Sequence, residues 1–270
     1  MSKTPNLINE SPNFQSVSVE YFSTYFQTFG ALILQFVLPI CLMFAFFYTW
    51  KNQPFKNSKI KKREPIVRFI WHEVRYSVLS FILLTFFINL DTFLLKQNFT
   101  KGYGDINQYG IGYFVFSIAA LLLIYDLYFY VVHRLLHHKN LYKLIHSLHH
   151  RSPTITPFGA FSISFWEGFF EFIFLPTIIF LMPLHSLALV IFLTIYIIFN
   201  AYIHSGFEIL PRFWVKTPFK FLNSAFHHDF HHSKLKCNFG LFTNIWDRLF
   251  GTQMENYEAE FLKIKEESQT

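Results

Sequence analysis

Histidine is the residue type that this sequence repeats at spacings suited to chemistry. Of its 13 histidines, eight fall in three short clusters that are typical of helices: His133-Arg-Leu-Leu-His137, His146-Ser-Leu-His149-His150 and His228-Asp-Phe-His231-His232. A ninth, His204, stands alone in another apolar stretch. Side chains three and four residues apart share one face of a helix, so each cluster presents two or three imidazoles to one side. Imidazoles that converge in this way indicate a metal centre.

The number of histidines bears on the number of ions. Nine nitrogen ligands exceed the four that a structural zinc ion takes, whereas two ions with four or five ligands each fit the count. Imidazole suits iron, copper and zinc, so ligand type alone leaves the metal open. The Glu-x-x-His pairs of carboxylate-bridged di-iron bundles do not occur near the clusters. The His-Glu-x-x-His motif of zinc proteases is absent too, because His72-Glu73 lacks its second histidine.

Two further histidines compete for places in the clusters. His138 adjoins His137 but points about 100° away on a helix, so we expect it to lie outside the ligand set. His227 precedes His231 by four residues and could replace or accompany His228. Only His228, however, repeats the spacing of the second cluster, which favours His228 as the ligand.

Asp126 is the acidic residue that the pattern associates with the clusters. It lies seven residues before His133, two helical turns away on the same face. An acid within an apolar span is costly and is a functional candidate. A metal-bound histidine often donates its second N–H to a carboxylate, and we expect Asp126 to accept such a bond. The alternative is a hydrated carboxylate at the membrane surface.

The elements that position the clusters are expected to be membrane helices. Hydrophobic residues make up 52% of the chain and include 38 Phe, a composition typical of membrane proteins. Apolar runs at 30–50, 76–95 and 111–132 are each long enough to span a bilayer. The strongest basic block lies between the first two, at 51–75, and predicts a cytoplasmic loop rather than a nucleic-acid site.

The path of segment 169–200 determines whether all the histidine clusters lie on the same side of the membrane. It is apolar and interrupted at Pro183, so it suits either one long span or a hairpin of two shorter helices. A single crossing would put His204 and the third cluster on the opposite side of the membrane from the first two. A shared metal site therefore requires the hairpin.

These features predict an all-α, polytopic membrane protein. We expect about three spanning helices plus a helical hairpin, with a cytosolic helical cap that carries the histidine clusters. The expected divisions are an N-terminal arm at 1–29, two transmembrane helices with their loops at 30–110, a catalytic domain at 111–254 and a polar tail at 255–270.

The motifs resemble those of the fatty acid hydroxylase, or sterol desaturase, superfamily of membrane di-iron oxygenases. The resemblance covers about residues 110–252 and rests on the order and spacing of the three clusters, of Asp126 and of Asn200-Ala-Tyr-Ile-His204. The C-terminal part, from His227 through Cys237-Asn-Phe239 to Trp246-Asp-Arg-Leu-Phe-Gly-Thr252, looks most like the cholesterol 25-hydroxylase and methylsterol monooxygenase branch.

The resemblance implies the ligands and the reaction. It implies two Fe²⁺ ions held by His133, His137, His146, His149, His150, His204, His228, His231 and His232. Some members have histidine where this chain has Asn200, so Asn200 is expected to act through water and to leave one iron a ligand short. Asp126 and Asp229 would orient the ligands. The irons would use O2 and two electrons to hydroxylate an unactivated C–H bond of a lipid, such as a sterol, that enters from the bilayer.

The resemblance also implies a partner and a location. No cytochrome domain is visible in the sequence, so the electrons would come from a separate carrier of the cytochrome b5 or ferredoxin type. The histidine clusters would face the cytoplasm, from the endoplasmic reticulum membrane of a eukaryote or the inner membrane of a bacterium. No nucleic acid is expected as a partner.

Other functions compete with lipid hydroxylation. The same site could desaturate a lipid or oxidise an ether lipid or a carotenoid, and the sequence does not separate these outcomes. A metal-transport or metal-binding protein would need polar groups along a path at mid-membrane, where these spans are nearly bare. A zinc-dependent membrane hydrolase would need fewer ligands and a general base among them.

Overall fold

The computed structural model describes residues 14–50 and 55–267, and all the regular elements in this part of the chain are helical. This confirms the predicted all-α, polytopic class. Residues 1–13 of the expected arm, Lys51 of the basic block and residues 268–270 of the expected tail lie outside the described residues.

The first membrane helix is longer than its apolar core. It comprises α1 (Phe14–Leu32) and α2 (Leu38–Phe44), which are joined by the π-helical turn Ile33–Val37. Helix α1 thus includes residues 14–29, which the sequence assigned to a loose arm, because no glycine or proline interrupts the helix before Gly30. The π-helical turn lies just before Pro39, whose missing N–H removes one bond from the helical ladder.

The second and third membrane helices are α3 (Val67–Lys96) and α4 (Gly110–Leu136). Helix α3 packs on α1, where the Tyr25 hydroxyl donates to the Ile82 carbonyl at 3.1 Å. Helix α4 runs without a break into His133 and is followed by the short helix α5 (Lys139–Leu141). The end of the bundle at which α4 finishes is called the histidine end below.

The apolar segment after the second cluster forms the predicted hairpin. Helices α6 (Phe165–Phe172) and α7 (Phe174–Leu181) lead away from the histidine end, and α8 (Ser186–Ile203) returns to it. At the far end, the Lys101 amide donates to Ile179 at 3.1 Å and the Tyr103 amide to Leu184 at 3.0 Å. The helices long and apolar enough to span a membrane are Ser23–Thr49, Val67–Lys96, Gly110–Leu136 and Ser186–Ile203.

A helical cap covers the histidine end. It contains α9 (Ala225–Lys234), α10 (Ile245–Leu249) and α11 (Tyr257–Glu267). The basic loop before α3 joins this cap, because the Ile60 amide donates to Gly206 at 3.0 Å. Helix α11 lies within the segment that the sequence assigned to a polar tail, and its Tyr257 and Phe261 are buried against Phe226. Their spacing of four residues gives an acidic helix one apolar face.

The outer surface of the bundle is apolar. Residues such as Leu34, Leu42, Ile111 and Phe116 lie on the membrane helices and are 60–69% exposed. Helices satisfy their own backbone polar groups and can present such side chains to lipid. The candidate functional side chains therefore lie at the histidine end rather than on the outer surface of the bundle.

Candidate metal centre

The structure brings all nine predicted ligands together as two neighbouring groups. The five-histidine group consists of His133, His137, His146, His150 and His231. The four-histidine group consists of His149, His204, His228 and His232. Within each group, one nitrogen of every ring lies within 4.8 Å of the others.

The helical spacing distributes the histidines between the groups. In the second cluster His146 and His150 join the five-histidine group, while His149 joins the other. In the third cluster His228 and His232 join the four-histidine group, while His231 joins the five-histidine group. In the third cluster this division follows from α9, where residues four apart point the same way. In the second cluster His146 ends a π-helical turn and His149 begins a 3-10 helix, and these two short elements give the same division.

The imidazole nitrogens within the groups are unusually close. In the five-histidine group the Nε2 atoms of His133 and His146 are 3.1 Å apart, those of His146 and His150 3.0 Å, and those of His150 and His137 3.2 Å. In the four-histidine group the Nε2 atom of His204 lies 2.9 Å from that of His228 and 3.3 Å from that of His149.

The contacts of the Nδ1 atoms show how these rings can present their Nε2 lone pairs to a cation. The His133 Nδ1 atom lies 2.9 Å from the Phe239 carbonyl, and the His146 Nδ1 atom lies 2.6 Å from a carboxylate oxygen of Glu167. The Phe239 carbonyl has no proton to give, so the neutral His133 ring carries its hydrogen on Nδ1. His146 carries its hydrogen on Nδ1 when it donates to an ionised Glu167. The two Nε2 lone pairs then face each other. Two nitrogens bound to one ion at about 2.1 Å lie about 3 Å apart when they subtend a right angle, so this donor set fits a metal ion.

The four-histidine group has the same arrangement. The His204 Nδ1 atom donates to the Asn200 carbonyl at 2.9 Å, which leaves the Nε2 lone pair directed at His149 and His228. The rings of His150 and His232 are 4.3 Å apart, centre to centre, so the two groups adjoin. The geometry suits two ions held side by side by neutral nitrogens.

The surroundings keep these rings neutral. Burial, followed by the charge of His133, lowers the pKa of His137 to about 2. Burial also lowers the pKa of His204 to about 3. The pKa values of the other ligands beyond α4 are lowered by burial and by the neighbouring imidazoles; these residues are His146, His149, His150, His228, His231 and His232. A neutral imidazole is the form that binds a metal.

Glu167 is the carboxylate that orients a ligand, and the sequence analysis missed it. It lies in the first turn of α6, where the Ser164 hydroxyl accepts a bond from its amide at 3.2 Å. Its side chain is buried and accepts a bond from His146. The signal was available, because Glu167 is one of two acids at the start of a mostly apolar segment.

Asp247 orients two more ligands through the backbone. It accepts bonds from the amides of Phe239 and Gly240, both at 2.8 Å. These bonds hold the loop whose carbonyls at Phe239 and Cys237 face the Nδ1 atoms of His133 and His231. Although burial alone would raise the pKa of Asp247, bonds from His227 and from the two amides lower it.

The expected role of Asp126 is corrected by its contacts. Its carboxylate accepts bonds from the Phe242 amide at 2.7 Å, the Thr243 hydroxyl at 2.6 Å and the Trp246 indole at 3.0 Å. None of the partners described for it is a histidine. Its side chain turns toward a distant loop, which the seven-residue spacing from His133 could not reveal. Asp126 therefore anchors the segment before α10 to α4.

Asp229 and Asn200 also differ from expectation. Asp229 forms an ion pair with Lys61 at 3.1 Å, so it fastens the basic loop to α9. Burial raises the pKa of Asp229, and the charge of Lys61 offsets part of this rise. The side-chain amide of Asn200 donates to the Ala160 carbonyl at 3.2 Å. The backbone carbonyl of Asn200, rather than its side chain, contacts His204.

The two competing histidines stay outside the groups. His227 is fully buried, but its Nε2 atom faces Asp247 at 3.5 Å. His138 is exposed at the end of α4. The choice of His228 over His227, made from spacing alone, agrees with the arrangement of the groups.

An apolar cavity of about 590 Å³ opens beside the centre. It lies between α1, α3 and the start of α6, and its lining includes Tyr25, Ser80, Leu148 and Phe165. Leu148 directly precedes His149 of the four-histidine group. The cavity therefore extends from the flank of the membrane helices to the residue that precedes His149.

Comparison with known proteins gives a family and several relatives. The model of the fatty acid hydroxylase family matches residues 118–252, half of the chain. Human lathosterol oxidase is 28% identical over 229 residues, which cover 83% of this chain and 71% of its own length. The Delta(7)-sterol 5(6)-desaturase of Schizosaccharomyces pombe is 31% identical over 161 residues, 60% of this chain and 51% of its own length. No solved structure matches.

Proposed function

The chain belongs to the fatty acid hydroxylase family, and from that premise we propose that it is a membrane-bound di-iron enzyme that uses O2 to oxidise an unactivated C–H bond of a lipid. The predicted superfamily is confirmed by the match. The cholesterol 25-hydroxylase and methylsterol monooxygenase branch stays a prediction, and the relatives named above carry oxidase and desaturase names.

One observation carries this proposal. Two adjoining groups of five and four histidines place Nε2 atoms about 3 Å from one another. Such a set stabilises two divalent ions without neutralising their charge by carboxylates. Family membership favours iron over copper and zinc, which the donor atoms alone do not exclude.

The chain's own residues hold and shield the centre. Each group would bind one ion through its Nε2 atoms, while Glu167 and the carbonyls of Phe239, Cys237 and Asn200 fix the rings through Nδ1. When bound, two ferrous ions supply the chemistry that reduces O2 and removes hydrogen from carbon. Six of the nine ligands are buried, which limits the access of water to the reacting atoms.

The substrate we propose is a lipid that enters from the bilayer, with a sterol as the first candidate. The apolar cavity between α1 and α3 supports lateral entry, since lipid surrounds these helices. The names of the relatives support a Delta(7)-sterol. Desaturation is the main alternative to hydroxylation and is favoured by the same names. Oxidation of an ether lipid or carotenoid is a further outcome on the same site.

Electrons would arrive at the exposed edge of the five-histidine group. His137 lies at an open cavity of about 590 Å³ whose rim carries Arg134 and Lys236. These exposed cations favour an acidic carrier protein, of the cytochrome b5 or ferredoxin type, at this edge.

The basic loop supports a cytoplasmic orientation of the histidine end. Lys61 from this loop pairs with Asp229 of the cap, and positively charged loops favour the cytoplasm. The membrane would be the endoplasmic reticulum of a eukaryote or the inner membrane of a bacterium. Residues 111–254 would form the catalytic part of the chain.

The decisive experiment combines metal analysis with product analysis. The full chain, purified in detergent from iron-supplemented cells, should contain about two irons, as the two ligand groups imply. Reconstituted with a reductase, an acidic ferredoxin and lathosterol, it should yield a sterol that has lost two hydrogens or gained one oxygen. Tightly bound zinc that iron cannot displace under anaerobic conditions would instead support a hydrolase or a metal-binding protein.

A further inference from the structure

Glu73 is a buried carboxyl group that the metal centre does not use as a ligand. It lies in the first third of α3, at the histidine end, and is 1% exposed. The Thr156 hydroxyl donates to its Oε2 atom, while its Oε1 atom is buried without a well-aligned hydrogen bond. A buried acid with an oxygen that lacks a well-aligned hydrogen bond is costly within a membrane helix and is a functional candidate.

Hydroxyl groups connect Glu73 with the surface. Thr156 is fully buried, and the Ser152 side chain, which also reaches the Glu73 carboxyl, is 7% exposed. Ser152 directly follows Arg151, which is exposed at the histidine end. Hydroxyls both donate and accept hydrogen bonds, so each of these two groups can pass a proton to the carboxyl group, and Ser152 is the one beside the exposed Arg151.

Glu73 also lies next to the four-histidine group. A methyl group placed at Gly159 would lie 3.4 Å from Glu73 Oε1 and 3.7 Å from His204 Cδ2. A single methyl-sized space therefore separates the carboxyl from a predicted ligand. That space is comparable to the one a water molecule needs.

We infer that Glu73 relays protons from the cytosolic face to the metal centre, through Ser152 and Thr156 and across the space at Gly159. The inference rests on the proposed function, whose chemistry consumes protons. Hydroxylation takes O2, two electrons from the carrier protein and two protons, and gives the alcohol and one water. Desaturation takes the same electrons and protons and gives the alkene and two waters. In both cases the substrate carbon is oxidised, O2 is reduced, and the protons end in water.

The first test needs no activity. Infrared spectra of the metal-free full chain in detergent should contain a carboxylic acid carbonyl band that Glu73→Gln removes. In heavy water this band should shift quickly in the wild type and at least about tenfold more slowly in the double variant Ser152→Ala, Thr156→Val, which lacks both hydroxyls. Absence of the band, or equal exchange in both proteins, would overturn the relay whether or not the proposed function holds.

The second test measures coupling with lathosterol as the probe. Glu73→Gln should keep both irons, lower product formation by about a hundredfold, as expected for a lost proton donor, and release peroxide in place of product. Gly159→Ala, which introduces only an ordinary contact, should act in the same direction more weakly. Asp91→Asn, a buried acid on the same helix, is the matched control and should leave coupling unchanged.

The outcomes of the second test are separable. Loss of iron in Glu73→Gln would show that the residue supports the ligands, and unchanged coupling would show that protons take another path; either result rejects the relay. If the wild type binds iron but converts no lipid tested, the proposed function fails, and the infrared exchange still decides the relay.

Discussion

The carboxylate of Glu167 lies 2.6 Å from Nδ1 of His146 and joins the apolar hairpin to the five-histidine group. Both side chains are buried, with 2% or less of their surface exposed. The bond fixes the tautomer of His146 and makes its Nε2 atom more basic. The hairpin therefore does more than return the chain to the histidine end, because its first turn supplies the carboxylate that orients a ligand.

Replacing Glu167 should weaken metal binding without unfolding the protein. Glu167→Gln keeps the shape of the side chain but removes its charge, and we expect about 10- to 100-fold weaker binding of one ion. Titration of the loaded protein with a chelator measures this change. Glu171→Gln is the matched control, since Glu171 lies one turn further along α6 and contacts Tyr196. Equal metal retention in the two variants would contradict the role of Glu167.

The two groups should respond differently to loss of one ligand. His204→Ala leaves three nitrogens in the four-histidine group, whereas His137→Ala leaves four in the other. We therefore expect His204→Ala to lower the iron content from about two to about one per chain, and His137→Ala to retain more. Elemental analysis with Mössbauer spectroscopy measures both. His138→Ala, at an exposed neighbouring position, should match the wild type. A fall in metal content in that control would invalidate the comparison.

The ligands could be predicted from the sequence because their pattern is local. Each histidine cluster occupies a few residues, and the spacing within it predicts which rings share a side. The choice between His227 and His228 followed from the same rule. The hairpin was predictable for a related reason, since one shared site requires His204 to return to the end of the bundle that carries His133.

The orienting groups could not be predicted in the same way, because their partners are distant in sequence. Glu167 is 21 residues from His146, and the Phe239 carbonyl is 106 residues from His133. A carbonyl group carries no signature in the sequence at all. For Asp126 the position on α4 predicted a bond with His133 that the structure does not show. Its hydrogen-bond donors lie 116–120 residues away in the sequence.

Asp126 should matter for stability more than for metal affinity. Asp126→Ala would leave the Phe242 amide, the Thr243 hydroxyl and the Trp246 indole without their acceptor. Each buried donor left unpaired costs about 1–3 kcal/mol, so we expect a loss of about 3 kcal/mol or more. Denaturant unfolding in detergent measures it. Asp105→Asn, which changes an exposed cap, should shift the transition little. A variant as stable as the wild type would show that these bonds are replaced by water.

Acid should destabilise the metal-free protein. The pKa of His137 is lowered to about 2 and that of His204 to about 3, from 6.5. The unfolded chain thus binds protons more readily than the folded one, so stability falls as the pH drops below 6.5. Melting temperatures of the metal-free protein should decrease between about pH 7.5 and pH 5. The iron-loaded protein should resist this change until the ligands are protonated. A flat profile for the metal-free protein would contradict the neutral ligand set.

The rim of the open cavity at His137 should control delivery of electrons. Lys236→Glu places a negative charge where an acidic carrier would approach, and we expect about tenfold slower reduction by an acidic ferredoxin at low salt, with a smaller difference at high salt. Stopped-flow measurement of iron reduction tests this. Chemical reduction by dithionite should be unaffected, which separates docking from damage to the centre. Lys263→Glu, an exposed charge reversal on α11, is the matched control. If both variants slow the ferredoxin equally, the effect belongs to the net charge, and the carrier docks elsewhere.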